Sequence, residues 1–163
     1  MSFTVYLSLG SNLEDRRANL ETALSKLDNN GIVPSEYSSI FETAPVENTD
    51  QNDFLNLVCS AKTEMEPLTL LKTCQKIEDE MGRIHNEPKG PRKIDVDILF
   101  HGENIVDEPH LKIPHPGLYL RNFVLVPMEE IFPDLRDPIT GKTIRELRMN
   151  CTDQSRVVKL KSL

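Results

Sequence analysis

Cysteine is scarce in this sequence, and its few copies form no recognisable set. The 163 residues include three cysteines, an odd number, and their positions share no metal-ligand spacing. A disulfide framework or a cysteine-rich metal site is therefore not expected. Cys59 and Cys74 fall in apolar patterns and are predicted to be buried free thiols, which fits a protein of the reducing cytoplasm.

Long apolar runs and glycine-rich motifs are also missing. No stretch is long and apolar enough for a transmembrane helix, and the sequence begins with an alternating segment, so we expect neither a signal peptide nor a membrane role. The segment GSNLED, residues 10–15, has one glycine and is neither a P-loop nor a dinucleotide fingerprint. A serine nucleophile elbow and a histidine-rich metal site are absent as well. Common nucleotide-loop and hydrolase motifs therefore do not identify the function.

Basic residues are fewer than acidic residues in this sequence. The sequence has 19 lysine and arginine residues against 26 aspartate and glutamate residues, which gives a formal net charge of −7. A general role in binding nucleic acid or acidic membranes is therefore disfavoured, and an anionic substrate would need a local cluster of positive side chains. At this length we expect a single domain, residues 1–163, that buries a core without disulfides or structural metals.

The order of the hydrophobic patterns predicts the fold. Alternating apolar residues predict strands over residues 3–9, 32–41, 54–63 and 94–100. Helical spacing predicts one helix capped by Asn12 and a second opened by Pro67, where proline is tolerated. This βαββαβ order is typical of a ferredoxin-like α+β fold, whose mostly antiparallel sheet carries both helices on one face. We expect the opposite face to be free for an active site and residues 42–53 to form an exposed loop.

Two carboxylates stand close together in the segment GPRKIDVDILF, residues 90–100. In a strand Asp95 and Asp97 share one face, with Cα atoms roughly 7 Å apart, and Ile94, Val96, Ile98 and Phe100 share the other. A divalent cation bound by oxygen ligands, magnesium or manganese, would turn the repulsion between the carboxylates into attraction. The spacing alone also fits a strand that simply presents polar residues to solvent. By the same alternation Phe54 and Asn56 should lie on the face of the two aspartates, and this agreement favours a site.

Basic residues precede the acidic strand. They are Arg83, His85, Lys89, Arg92 and Lys93. Residues 83–90 contain little apolar content and one proline, so we predict a loop that closes over phosphates, where basic side chains donate charge-assisted hydrogen bonds. A solvated run of charge remains the alternative. His115, between two prolines in a predicted rigid turn, could be structural or functional.

Several ordered blocks carry a family resemblance. They are YLSLGSN at 6–12, ETAPV at 42–46, FLN at 54–56, GPRKIDVDIL at 90–99, LKIPHP at 111–116 and RNFVLVPMEEIFP at 121–133. With these blocks at compatible spacing, the chain resembles the 6-hydroxymethyl-7,8-dihydropterin pyrophosphokinases of folate biosynthesis. The resemblance implies the same βαββαβ core and transfer of a pyrophosphoryl group from ATP to the pterin hydroxymethyl oxygen, leaving AMP.

The resemblance also implies roles for individual residues. Asp95 and Asp97 correspond to ligands of two magnesium ions, and the metal would acidify the pterin hydroxyl. Catalytic phosphate contacts are implied for Arg83 and Arg92. The remaining ATP contacts would be Gln75, Glu78, Ile98, His115 and Arg121. The pterin would lie between Phe54 and Phe123, with its polar edge read by Thr43, Val46 and Asn56.

The sequence departs from the family at a few positions. The family often has an arginine where His85 falls and a tryptophan where Lys89 falls, and Phe54 replaces a common tyrosine. Stacking is kept at Phe54 while a hydroxyl is lost. We expect a cytoplasmic monomer whose partners are ATP and 6-hydroxymethyl-7,8-dihydropterin. The alternatives are a metal-dependent phosphoesterase, which would not need the aromatic pocket, and a non-catalytic nucleotide-binding module, which would not need paired metal carboxylates.

Overall fold

An antiparallel sheet organises the chain. A computed structural model describes residues 2–44, 52–82 and 93–160. Its strands are β1 (Phe3–Ser11), β2 (Val33–Tyr37), β3 (Phe41–Thr43), β4 (Phe54–Thr63), β5 (Asp95–His101), β6 (Val106–Glu108), β7 (Leu111–Ile113) and β8 (Val157–Lys159). Its helices are α1 (Arg16–Asn29), α2 (Pro67–Glu80), a 3-10 helix (Pro116–Leu120), α3 (Asn122–Ile131) and α4 (Ile144–Asn150). None of the helices in these described ranges is long and apolar enough to cross a membrane.

The sheet has the predicted ferredoxin-like topology. Its order is β5-β1-β4-β3-β8, with β2 also paired to β4, and β6 and β7 form a separate hairpin. Helix α1 connects β1 to β2, which flank β4, and helix α2 connects β4 to β5, which flank β1. These two interleaved units confirm the α+β fold class and the βαββαβ core.

One face of the sheet is covered by α1 and α2, as predicted. Alternate residues of the central strands point into this layer, and the helices contribute apolar residues at helical spacing. The layer includes Val5, Leu7, Leu9, Leu20, Leu24, Leu27, Leu57, Cys59, Leu70, Cys74 and Ile77. Cys59 and Cys74 are buried free thiols, in agreement with the prediction. Burial raises the pKa of each thiol to about 12, which keeps both of them protonated.

The predicted second strand, residues 32–41, is wrong as a single element. It is divided into β2 and β3 because Ser38 bonds to β4 through its side chain and Ser39 bonds to α3 instead of β4. The Ser38 hydroxyl accepts the N–H of Val58 at 3.0 Å, and the N–H of Ser39 donates to a Glu130 carboxylate oxygen at 2.6 Å. As a consequence Thr43 lies in β3 and is buried, not in an exposed loop.

The first helix also begins later than predicted. Asp15, not Asn12, is the N-cap, and its carboxylate accepts the N–H of Ala18 at 3.1 Å. Glu14 has a positive φ of 59° immediately before this cap. Aspartate and asparagine are comparable N-cap residues, so the capping pattern alone could not distinguish the two positions.

Phe100 does not share the face of Ile94, Val96 and Ile98. Leu7 pairs with Ile98 but Tyr6 pairs with Phe100, so β5 contains one extra residue there. Such a β-bulge reverses which face later side chains occupy. Phe100 therefore belongs to the second face, where its ring meets that of Tyr6 edge-on, with the centroids 5.9 Å apart.

The expectation that the second face is free is wrong for part of it. A second apolar cluster joins this face to α3, α4 and the 3-10 helix and comprises Val58, Leu99, Phe100, Leu118, Val124, Leu125, Met128, Ile144 and Leu147. Most of it comes from residues after β5, which the βαββαβ pattern did not include. The end of the face nearest the start of β5 carries polar residues instead, and the candidate site lies there.

Candidate active site

The centre of the site is a row of three residues across three strands. Gly10 on β1 pairs with Asp95 on one side and with Asn56 on the other. Residues directly opposite in antiparallel strands share a face, so all three lie on the same face of the sheet. A Cβ atom added at Gly10 would lie 2.6 Å from Asn56 Oδ1 and 3.3 Å from Phe54 Cδ1. Glycine at this position therefore allows the two side chains to approach the backbone of β1.

Asn56 and Thr43 form a buried pair of polar side chains at one end of this row. Asn56 Nδ2 donates to Thr43 Oγ1 at 2.5 Å, and both residues are buried. Thr43 pairs with Phe54, whose ring is only partly buried. A partly exposed aromatic ring next to buried amide and hydroxyl groups is suited to a flat heterocycle with hydrogen-bonding edges.

Asp97 lies two residues farther along β5 and faces His115. Asp97 pairs with Ser8, and Asp95 pairs with Gly10, two residues farther along β1. Residues two apart in a strand point to the same face, so the two aspartates share the site face as predicted. His115 Nε2 is 4.0 Å from Asp97 Oδ1. The two carboxylates and the imidazole are thus neighbours at one end of the sheet.

The environment of His115 keeps its ring neutral. His115 Nδ1 accepts the N–H of Gly117 at 2.9 Å, so the ring proton is on Nε2, the atom that faces Asp97. Burial lowers the pKa of His115, the nearby Arg121 cation lowers it further, and Asp95 opposes these effects. His115 is therefore neutral at pH 7 and presents one N–H donor toward the carboxylates.

Arg121 lies between the 3-10 helix and α3. Its guanidinium carbon is 5.7 Å from the centroid of the Phe123 ring, a cation–π distance. A Cβ atom added at Gly117 would lie 2.9 Å from the same guanidinium carbon. The absence of a side chain at Gly117 thus leaves space for Arg121 beside His115, and Phe123 forms a partly exposed wall next to it.

Two supporting interactions were not predicted from the sequence, one made by Glu78, which was expected only near the nucleotide, and one made by Arg16. Glu78 on α2 is buried, and its Oε2 accepts the N–H of Val96 at 2.8 Å, between the two aspartates of edge strand β5. Arg16 at the start of α1 donates to the Glu42 carboxylate at 2.9 Å and to the Asp53 carbonyl at 3.0 Å. Hydrogen bonds between residues this far apart in sequence leave no local pattern, although Glu78 in an apolar helical stripe was a detectable signal.

Glu78→Ala should destabilise the protein by about 1–3 kcal/mol, because it leaves the Val96 N–H without its acceptor in a buried site. Glu78→Gln retains an amide oxygen as an acceptor and should cost clearly less. Urea unfolding of the two variants and of the unmodified protein measures the difference. Equal losses for alanine and glutamine would contradict a role for this hydrogen bond.

The other predicted site residues have different positions. Gln75 is exposed on α2, whereas the Ile98 side chain is buried in the layer beneath α1 and α2, on the opposite face from Asp97. Val46, Arg83 and Arg92 lie outside the described residues, as do His85, Lys89 and the predicted phosphate-closing loop, residues 83–90.

The donor set near β5 fits magnesium only if a substrate contributes ligands. In residues 2–44, 52–82 and 93–160, no group of three or more histidine, cysteine, aspartate or glutamate side chains is arranged to hold a metal ion. Asp95 and Asp97 supply carboxylate oxygens alone. Mg²⁺ characteristically binds one or two carboxylates and completes its octahedral shell with water and substrate phosphates, so a pair of aspartates is an appropriate protein contribution.

Comparison with known proteins places the chain in a family. The model of the 7,8-dihydro-6-hydroxymethylpterin-pyrophosphokinase (HPPK) family matches residues 6–133. Folic acid synthesis protein fol1 of Schizosaccharomyces pombe is 45% identical over 142 residues, which cover 86% of this chain and 19% of that protein. The chain spans about a fifth of the length of that relative and of two further relatives of similar name.

Shorter relatives match along most of their own length. The 2-amino-4-hydroxy-6-hydroxymethyldihydropteridine pyrophosphokinase of Bacillus subtilis is 41% identical, with 86% of this chain and 85% of that protein covered. The protein of the same name from Haemophilus influenzae is 39% identical, with 96% and 98% covered. A crystal structure of Plasmodium falciparum HPPK-DHPS shares the fold, with a TM-score of 0.71 at 20% identity, over 91% of this chain and 42% of that one. The chain therefore belongs to the 7,8-dihydro-6-hydroxymethylpterin-pyrophosphokinase family.

Proposed function

We propose that this protein transfers a pyrophosphoryl group from ATP to the hydroxymethyl oxygen of 6-hydroxymethyl-7,8-dihydropterin, producing AMP and the pterin diphosphate in folate biosynthesis. The observation that carries the proposal is the row of Asp95, Gly10 and Asn56 across the sheet. It puts a carboxylate suited to a metal ion and an amide suited to a heterocycle on opposite sides of one glycine. Family membership supports the same reaction.

The pterin would lie on the Asn56 side of the row. Phe54 and Phe123, both partly buried, would stack on its two faces, and Thr43 and Asn56 would bond its polar edge. The proposal includes Val46 at the same edge on the basis of the family resemblance. Because buried amide and hydroxyl groups are costly to leave unpaired, a heterocycle without matching donors and acceptors would bind poorly.

The ATP phosphates would lie on the Asp97 side. His115 would donate its Nε2–H, and the Arg121 guanidinium, oriented by Phe123 and Gly117, would neutralise phosphate charge. Arg83 and Arg92 are proposed as further catalytic phosphate contacts, and Gln75 and Glu78 as residues near the nucleotide. For Ile98 the proposal is limited to the backbone of edge strand β5, because the side chain faces the opposite layer.

Asp95 and Asp97 are proposed to hold two magnesium ions. When bound, the metal neutralises phosphate charge and lowers the pKa of the pterin hydroxyl. The pterin oxygen forms a bond to the β-phosphorus as the bond from that phosphorus to the AMP oxygen breaks, and the hydroxyl proton is lost to solvent. The protein's part is to align the two substrates and stabilise charge, which is the main requirement of phosphoryl-type transfer. No side chain is assigned as the general base.

A cytoplasmic, monomeric enzyme is part of the proposal. The support for the compartment is the pair of buried free thiols, Cys59 and Cys74, which a reducing environment maintains. ATP and the pterin are the proposed partners.

Calorimetric titration with a non-hydrolysable ATP analogue and the pterin, each with and without magnesium, tests the proposal against its alternatives. We expect magnesium-dependent binding of the analogue and tighter pterin binding when the analogue is present. A phosphoesterase would lack pterin binding, and a nucleotide-binding module would bind the analogue without magnesium. Either of those results would contradict the proposed function.

Phe123→Ala should weaken pterin binding by about 1–3 kcal/mol, the scale of losing one stacking surface and its burial. Binding of the ATP analogue alone should change much less, because Arg121 loses its contact with the ring but keeps its place beside Gly117. Phe54→Tyr should be mild because it keeps the ring. Titrations of both ligands with the two variants measure these effects. Equal losses for pterin and analogue in Phe123→Ala would indicate that the ring does not belong to the pterin pocket.

A further inference from the structure

The segment after α4 runs back to the proposed pterin pocket. We name residues 153–160 the C-terminal brace. It lies outside the residues 6–133 that the family model matches. It contacts α3 through Asp153 and the sheet through β8. Both α3 and the sheet carry residues of the proposed pocket, so the contacts of the brace are relevant to its shape.

Asp153 supplies the cap that α3 lacks in its own sequence. Arg121 occupies the N-cap position of α3 but makes no side-chain capping bond. The N–H of Asn122, the first residue of the helix, donates to Asp153 Oδ2 at 2.9 Å, and the Asn122 side-chain amide donates to the Asp153 carbonyl. A carboxylate at a helix N-terminus satisfies an otherwise unbonded N–H and interacts favourably with the helix dipole.

The Asp153 carboxylate is itself fixed. Its Oδ1 accepts the N–H of Ser155 at 2.9 Å, which leaves Oδ2 directed at α3. Burial acts to raise the pKa of Asp153, but the hydrogen bonds from Ser155 and Asn122 together outweigh it and lower the pKa, so the group is charged at neutral pH. The next residue after Asn122 is Phe123, whose backbone lies in the turn that Asp153 caps.

The other end of the brace stabilises the opposite wall of the pocket. Val157 of β8 pairs with Thr43, and Leu160 donates its N–H to the Ile40 carbonyl at 2.8 Å. Lys159 Nζ is 2.9 Å from Glu130 Oε2, and Glu130 also accepts from Ser39, so α3 and β8 are joined directly. Without β8, the three-residue strand β3 that carries Thr43 would pair only with β4 and would be an edge strand of the described sheet.

A third contact of the brace, between Arg156 and Asp53, contributes less to the stability of the pocket. Arg156 Nη2 is 3.5 Å from Asp53 Oδ2, next to Phe54, but the arginine side chain is 69% exposed. Exposed ion pairs of this kind are worth little. The helix cap at Asp153 and the β3–β8 pairing are therefore the parts of the brace that can affect the pocket.

We propose that Asp153 is a positioning residue for the pterin, acting through Asn122 to fix the Phe123 ring; this inference rests on the proposed function. Arg121 contacts the Phe123 ring at 5.7 Å, but it is also held by its position after the 3-10 helix and by the space at Gly117. The nucleotide side of the site should therefore respond less to Asp153 than the pterin side. The brace thus links pterin affinity to a residue 30 positions beyond Phe123 in the sequence.

Equilibrium titrations with Asp153→Ala test this inference. The pterin Kd should rise about fivefold to tenfold, the scale of losing a helix cap. The Kd of a non-hydrolysable ATP analogue should change less than about twofold. Asp153→Asn, which keeps the shape and one acceptor, should raise the pterin Kd about threefold or less. Asp134→Ala is the matched control, because that carboxylate pairs only with exposed Arg145 in the described residues and should leave both constants unchanged.

A double-mutant cycle separates positioning from general stabilisation. In a Phe123→Ala background, Asp153→Ala should have almost no further effect on the pterin Kd, because the ring it positions is gone. If Asp153→Ala fails to fold, Asp153→Asn replaces it in the same cycle. An unchanged pterin Kd, equal losses for both ligands, or full additivity with Phe123→Ala would overturn the inference. Failure of the unmodified protein to bind pterin would instead contradict the proposed function itself.

Discussion

Replacement of Asp95 or Asp97 by alanine should reduce AMP formation roughly a thousandfold, since loss of a metal ligand removes several kcal/mol of transition-state stabilisation. Both carboxylates lie on the same face of β5, opposite Ser8 and Gly10, where they can serve one metal-phosphate centre. Pterin affinity should change little, because the proposed pterin contacts belong to other strands and to α3. Turnover at saturating magnesium and pterin binding by titration are the two measurements.

Asp107→Ala provides the matched control for these variants. Asp107 is an exposed aspartate of the β6–β7 hairpin that pairs with Lys112, away from the sheet face of the site. Its replacement should leave both turnover and pterin affinity unchanged. Near-normal AMP formation by the Asp95 or Asp97 variant would remove the basis for the proposed metal centre.

Gly10→Ala should weaken pterin binding by about fivefold to 150-fold. The new methyl group would lie 2.6 Å from Asn56 Oδ1, and Asn56 is buried and bonded to Thr43, so it cannot move without losing that bond. Displacement of a buried hydrogen-bonding group costs about 1–3 kcal/mol. Binding of the ATP analogue should be nearly normal, and titration of the two ligands measures the contrast.

Gly117→Ala is the counterpart on the nucleotide side. Here the methyl group would lie 2.9 Å from the Arg121 guanidinium carbon and would displace a proposed phosphate contact. The ATP analogue should bind several-fold more weakly, and the pterin should be affected less. If both glycine variants weakened the same ligand, the division of the site into a pterin side and a phosphate side would be wrong.

The central strands and the shared face of Asp95 and Asp97 could be predicted from sequence because their signals are local. Alternation over residues 54–63 gave the bounds of β4, and the same alternation put Asp95, Asp97 and Asn56 on one face. The buried layer beneath α1 and α2 followed from helical spacing in the same way. Period-two and period-3.6 patterns are sufficient for such elements.

The features that sequence did not predict depend on distant contacts. The bulge near Phe100, the division between β2 and β3, and the cap that Asp153 gives to α3 each involve partners far apart in the chain. Glu78 was predicted near the nucleotide from the resemblance, whereas its bond to Val96 required the packing of α2 against β5. Helices α3 and α4 follow the βαββαβ core in the sequence and are not part of that pattern. The area of the second sheet face that they cover is visible only from their packing in the structure.

Product identification tests the proposed reaction most directly. Purified protein is incubated with ATP, magnesium and 6-hydroxymethyl-7,8-dihydropterin, and the nucleotide and pterin products are followed by phosphorus NMR. The proposed function predicts AMP and pterin diphosphate in equal amounts, both dependent on pterin and on magnesium. Formation of ADP or free phosphate without AMP, or nucleotide turnover that does not require pterin, would contradict it.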